Sequence, residues 1–190
     1  MPSSMIHLFV AKKVSPNAKI DFYIGNIAPD TVKERDKKIV THLRNAPDKE
    51  SALKELALKI KGNDYLKGYL LHLFVDWKWE ETLLADFAEK EGEGWYSKYF
   101  DEVCKMASYY FHITEWSDEL FEQMELCDDY DFVETEFLTK EAVKHRIQGQ
   151  RKWSVENKIG PSDVFTPAVI DKFVNDTAAD FNKWFSLLIN

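Results

Sequence analysis

The chain has 190 residues, of which 45% are apolar, and a formal net charge of −8 from 33 acidic and 25 basic residues. That length suits one domain with a substantial core, and that apolar content excludes a disordered chain. The acidic balance opposes a protein that grips nucleic acid mainly by backbone charge, but leaves room for a hydrolase acting on phosphate esters at a metal.

The first residues, MPSSMIHLFVAKKV, have no basic segment followed by a long apolar one, so no signal peptide is expected. No uninterrupted apolar run reaches about 18 residues, so no transmembrane helix is expected either. Cys104 and Cys127 form no zinc-knuckle spacing and suit a reducing compartment. The expected location is the cytoplasm.

In chain order the pattern is helical nearly throughout. Ser3 or Ser4 can cap a first helix carrying Met5, Ile6, Phe9 and Val10. A second is expected over residues 17–27 and stops at Ala28-Pro29-Asp30, because the residue before a proline disfavours the α region. A short helix is expected over residues 36–43 and an amphipathic one over 49–61. Asp64 is the expected cap of a helix over residues 65–88. Residues 90–94, KEGEG, read as a turn, and residues 95–126 as one long helix with a break near Thr114. A polar, partly basic helix over 139–157 follows, then the loop 158–163 and a last helix over 167–189, announced by Thr166 and Pro167. No strand alternation, repeat or linker stands out. The expected fold is all-α, a single-domain multi-helix bundle spanning residues 1–190.

The segment GYLLHLFVDWKWEE, residues 68–81, is apolar on nearly every side yet contains His72 and Asp76. Positions i and i+4 share a helix face, so Gly68, His72, Asp76 and Glu80 form one row. A helix apolar all round is buried, and a buried charge needs a partner or a metal. Only five histidines are available as companions: His7, His42, His72, His112 and His145. His7 lies on the apolar first helix, His42 in KIVTHLRN, and Asp30 at the helix break. Histidines and carboxylates gathered from separate elements make a nitrogen and oxygen site suited to zinc, or to iron or manganese with more oxygen.

The ordered set of His7 in MIHLFV, Asp30 in YIGNIAPD, His42 in THLR, and His72 with Asp76 in GYLLHLFVD resembles the zinc-dependent phospholipase C family, related to zinc single-strand nucleases. The resemblance covers residues 5–81. It implies an all-α bundle with metals between helices. It also implies Asp30, His42, His72 and Asp76 as ligands of one zinc, and Asp76 as a bridge to a second zinc that His7 would ligate. Asp30 matches the general base. The ligands of a third zinc are not evident after Asp76, so one or two ions are expected.

In such a site a divalent metal activates a water, a carboxylate positions it, and Arg44 contacts a phosphate in bidentate fashion or forms a surface ion pair. Gly68 leaves space by the ligand row or allows tight helix packing, and Trp77 and Trp79 flank the row. The run from Glu115 to Glu136, with ten acidic residues and no Lys or Arg, reads as a solvated face. The basic cluster KHRIQGQRKW, residues 144–153, either lies over the site or covers a polar surface. The favoured function is a metal-dependent hydrolase, a phosphoesterase with a small phosphate-ester or lipid-like substrate. A catalytically weak metal-binding module on the same scaffold, with a binding or regulatory role, is the alternative. A purely structural bundle with His–Asp pairs in its core is the third possibility.

Overall fold

The computed structural model describes residues 1–135 and 137–189. Its helices, in order, are α1 (Ser4–Val14), α2 (Ile20–Ile27), α3 (Arg35–Thr41), α4 (Lys49–Ala57), α5 (Asp64–Trp79), α6 (Ala85–Glu91), α7 (Trp95–Ile113), α8 (Ser117–Leu126), α9 (Lys140–Glu156) and α10 (Pro167–Ile189). A 3-10 turn, Ala28–Thr31, follows α2, and a π-helical turn, Glu80–Leu84, joins α5 to α6. Among the described residues there is no strand; Thr135 and Leu138 form an isolated bridge. The fold is all-α, one domain, with a single buried cluster that draws on nearly every helix. Among the described residues no helix is long and apolar enough to cross a membrane.

Helix α5 runs through the core, with Leu70, Leu71, Leu73, Phe74, Val75 and Trp79 all buried. Its closest neighbour is α2, and the closeness depends on two glycines. A Cβ on Gly25 would come within 2.0 Å of the Tyr65 carbonyl oxygen, and one on Gly68 within 1.9 Å of that of Phe22. The two backbones therefore touch, which only glycine permits at these positions. Of the two roles open to Gly68, tight helix packing is the one seen. Asn26 Nδ2 crosses the contact to donate to the Gly68 carbonyl at 3.3 Å.

Several boundaries differ from the sequence expectation, each for a local reason. Helix α5 is capped by Asn63, whose Oδ1 accepts from the Leu66 amide at 2.8 Å, and Asp64 is already helical. The preceding turn places Lys61 and Gly62 at positive φ, so α4 stops at Ala57 rather than continuing to 61. The helix expected over 65–88 is divided by the π turn, and α2 starts at Ile20, not at 17. Ser3 sits at the N-cap of α1 but its hydroxyl makes no capping bond. The break near Thr114 is present, and Ser117 Oγ closes it by donating to the Phe111 and Thr114 carbonyls at 2.6 and 2.8 Å. Thr139 caps α9, and α10 begins at Pro167.

The acidic run is not simply a solvated face. Arg151 of α9 reaches Asp118 at 2.7 Å, Glu125 at 3.2 Å and Glu122 at 3.8 Å, which ties α9 to α8. Glu136, the end of that run, lies outside the described residues. Trp79 packs against Phe165 and Phe173 in the core, whereas Trp77 lines a surface cleft with Phe74 and Trp184.

Candidate metal centre

Four elements deliver the five donors. His7 comes from α1, His72 and Asp76 from one face of α5, Asp30 from the 3-10 turn after Pro29, and His42 from the residue that ends α3. Pro29 matters locally because it stops α2 and turns the next carboxylate back towards α5. At the end of α3, Tyr69 of α5 donates its hydroxyl to the Thr41 carbonyl at 2.7 Å, which holds His42 beside the ligand row. His7 and His72 are fully buried, His42 and Asp76 nearly so, and Asp30 is 7% exposed.

The spacing between donors is informative. His7 Nε2 lies 3.4 Å from Asp76 Oδ1, and His72 Nε2 and His42 Nε2 lie 3.6 and 3.8 Å from Asp76 Oδ2. His42 Nε2 is 3.6 Å from Asp30 Oδ1. A hydrogen bond between nitrogen and oxygen has a length of about 2.7–3.2 Å. Two donors on one tetrahedral ion, each about 2.0–2.2 Å from it, lie about 3.3–3.6 Å apart. The observed separations fall near the second range and outside the first. Accordingly, both nitrogens of His7, Nε2 of His42 and His72, and both oxygens of Asp76 are buried without a hydrogen-bond partner. Buried polar groups left unpaired are costly. A cation among them would satisfy Nε2 of the three histidines and the Asp76 carboxylate, and would leave only His7 Nδ1 unpaired within this set. Two sets, His7 with Asp30 and His72, and His42 with His72 and Asp76, each bring their donor atoms within 4.8 Å of one another. His72 belongs to both sets.

The outer contacts fix which atoms face inward. His72 Nδ1 lies 2.8 Å from the Asn26 backbone carbonyl, which can only accept. Nδ1 therefore carries the proton, and Nε2 presents its lone pair to the centre. His42 Nδ1 pairs with Thr41 Oγ1 at 2.9 Å, again leaving Nε2 to face the carboxylates. The His7 and His72 rings stack face to face, with centroids 3.8 Å apart.

The electrostatics agree. Burial, helped by the neighbouring His7, pushes the His72 imidazole down to about 3 against the opposing pull of Asp76 and Asp30. His72 is thus a neutral imidazole at ordinary pH, with a lone pair free to take a metal. Burial alone would raise the Asp76 and Asp30 carboxyls, but the facing groups prevail. His72, His7 and His42 hold Asp76 low, and His42, His72, Lys38 and Arg146 hold Asp30 well below the usual carboxylate range. Both are stable anions.

Around this centre stands a cationic rim that sequence reasoning only partly found. Lys38 Nζ lies 3.1 Å from Asp30 Oδ1, and an Arg146 guanidinium nitrogen lies 3.7 Å from Asp30 Oδ2. Arg146 sits inside the basic cluster of α9, so one side of that cluster does lie over the site. Lys49 donates to the His42 carbonyl. Arg44 is at the rim, 3.9 Å from Glu80, so the carboxylate that extends the α5 row faces an arginine at the half-exposed edge. Lys38, Lys49 and the carbonyl of Asn26 have no local sequence signal of their own. His112 and His145 are exposed and pair with the Asn157 carbonyl and Glu141, and Glu115 is exposed; none joins the centre.

Comparison of the chain with known protein families, with curated proteins and with solved structures finds no match.

Proposed function

We propose that this protein is a metal-dependent hydrolase acting on phosphate esters, with zinc as its metal and manganese or iron as substitutes. The observation that carries this reading is the set of buried, unpartnered donors on His7, His42, His72 and Asp76, spaced for an ion rather than for hydrogen bonds. The resemblance of residues 5–81 to zinc-dependent phospholipases C supports the same reading.

His42 and His72 supply neutral nitrogens, and Asp76 supplies the anion that lies between three imidazoles. When bound, a divalent ion lowers the pKa of a coordinated water towards about 7 and withdraws charge from a phosphoryl oxygen. Asp30, at the edge of the set, is placed to orient that water and accept its proton. Arg44 and Lys38 bind the anionic group. The cytoplasm is the proposed location. The deep burial of the donors favours a second reading, a metal-binding module with little turnover.

A panel of phosphate esters, assayed with zinc-, manganese- and iron-loaded protein, separates the two. Turnover lost on chelation and in His72→Ala supports the hydrolase. A fully loaded protein that turns over no ester is a binding module.

A further inference from the structure

We propose that Lys38, Arg44 and Arg146 form an arc that binds the terminal phosphoryl group of a phosphate monoester dianion in preference to a phosphodiester; this rests on the hydrolase reading above.

The first support is what the cations now touch. Lys38 Nζ and an Arg44 guanidinium nitrogen converge on one atom, the Met1 Sδ, at 3.9 and 2.6 Å. A thioether is a weak acceptor with no charge. Two cationic heads aimed at one neutral point mark a position that an anion would fill better. Arg146 is incompletely satisfied as well. It reaches Ser4 Oγ at 3.3 Å and Asp30 Oδ2 at 3.7 Å, but its Nε is buried and has no partner. Lys38 and Arg146 flank Asp30 from opposite oxygens, and Lys38 shares the Met1 Sδ with Arg44, so Lys38 links the other two cations around Asp30.

The second support is charge. Lys38, Arg44, Lys49 and Arg146 stand against Asp30, Asp76 and Glu80, an excess of positive charge in a chain whose formal net charge is −8. Any divalent ion held by the donors increases the excess. A diester brings one negative charge; a monoester above its second pKa of about 6 brings two. The dianion balances this site better.

The third support is enclosure. His7, His42 and His72 are at most 1% exposed, whereas the Lys38, Arg44 and Arg146 side chains at the rim are 22%, 38% and 27% exposed. A diester carries a substituent on two sides of phosphorus and needs two exits. A terminal phosphoryl group needs one.

The test uses binding, so that it does not depend on turnover. Zinc-loaded protein is titrated with inorganic phosphate, as the dianion, and with dimethyl phosphate, as the diester monoanion. Inorganic phosphate should bind at least about tenfold more tightly. Arg44→Gln and Arg146→Gln should each weaken it about tenfold or more at unchanged zinc content, the loss expected for a charge-assisted contact. Arg44→Lys should lose less than Arg44→Gln, because it keeps the charge and loses only the fork. Equal affinity for the two anions, or unchanged phosphate binding in both glutamine variants, overturns the proposal. If phosphate binds as expected but no ester is turned over, the arc stands as a phosphate site and the hydrolase reading falls.

Discussion

The Asn26 backbone carbonyl oxygen lies 2.8 Å from His72 Nδ1. It reaches there because α2 and α5 touch through Gly25 and Gly68, with no side chain between them. One close helix contact thus fixes the tautomer and orientation of the histidine that both donor sets share. Packing and site chemistry are joined at this point.

Gly68→Ala forces a methyl group into the Phe22 carbonyl and pushes the helices apart. It should cost about 3 kcal/mol or more, and lower metal affinity through loss of the Asn26 contact. Gly149→Ala in α9 meets nothing within 4 Å and should be neutral or stabilising by about 1 kcal/mol. Thermal melts of the pair check this. Equal melting temperatures would show that the glycine contact is not limiting.

Metal removal should lower the melting temperature. A ligand that binds only the folded state at about 100 times its Kd adds about 2.7 kcal/mol. For a domain of this size that is roughly 5–11 °C. Scanning calorimetry before and after chelation measures it. An unchanged melting temperature in protein that demonstrably held metal would count against a stabilising site.

Metal-free protein should lose stability as pH falls. The folded His72 imidazole sits at about 3 and the unfolded one at 6.5. Between these values the unfolded chain binds a proton that the folded chain does not. Stability from this group is therefore present above pH 6.5 and declines below it, by up to about 1.4 kcal/mol per pH unit. Asp30 and Asp76, both held low, add losses of the same sign below the ordinary carboxylate range. Melts from neutral to mildly acidic pH should slope downwards in the wild type and less so in His72→Gln. Identical slopes would remove His72 as the source.

Asp30→Asn separates a base from a ligand. With metal retained, a general-base role predicts a loss of about 10²–10⁴-fold in kcat. His42, His72, Lys38 and Arg146 together lower the proton affinity of this carboxylate, which places the expected loss at the lower end. Loss of metal together with rate would make Asp30 a ligand first.

The five candidate donors stand out in the sequence through their order along the chain, with a local signal at some of them. His72 and Asp76 share a helix face, Asp30 follows a helix-breaking proline, and His7 and His42 interrupt apolar stretches. The break at Thr114 and the start of α10 are also written locally, in Thr114 and in Thr166-Pro167. Other features are not. Asn63 and Asp64 are both good caps, and the turn through Lys61 and Gly62 decides between them. No residue announces the π turn at Glu80–Leu84. Lys38 and Arg146 approach Asp30 only once α3 and α9 have packed, so spacing along the chain is silent about them. Gly25 reads as an ordinary helix residue until the Tyr65 backbone is found against it.

The most direct test of the metal centre is elemental analysis of protein purified without added metal, alongside His72→Ala. The account predicts about one to two equivalents of zinc, manganese or iron per chain in the wild type, filling tetrahedral or higher coordination. His72→Ala should keep its helical circular dichroism and lose most of that metal. A wild-type chain that is folded, metal-free and unable to take up any of these ions from solution would contradict it.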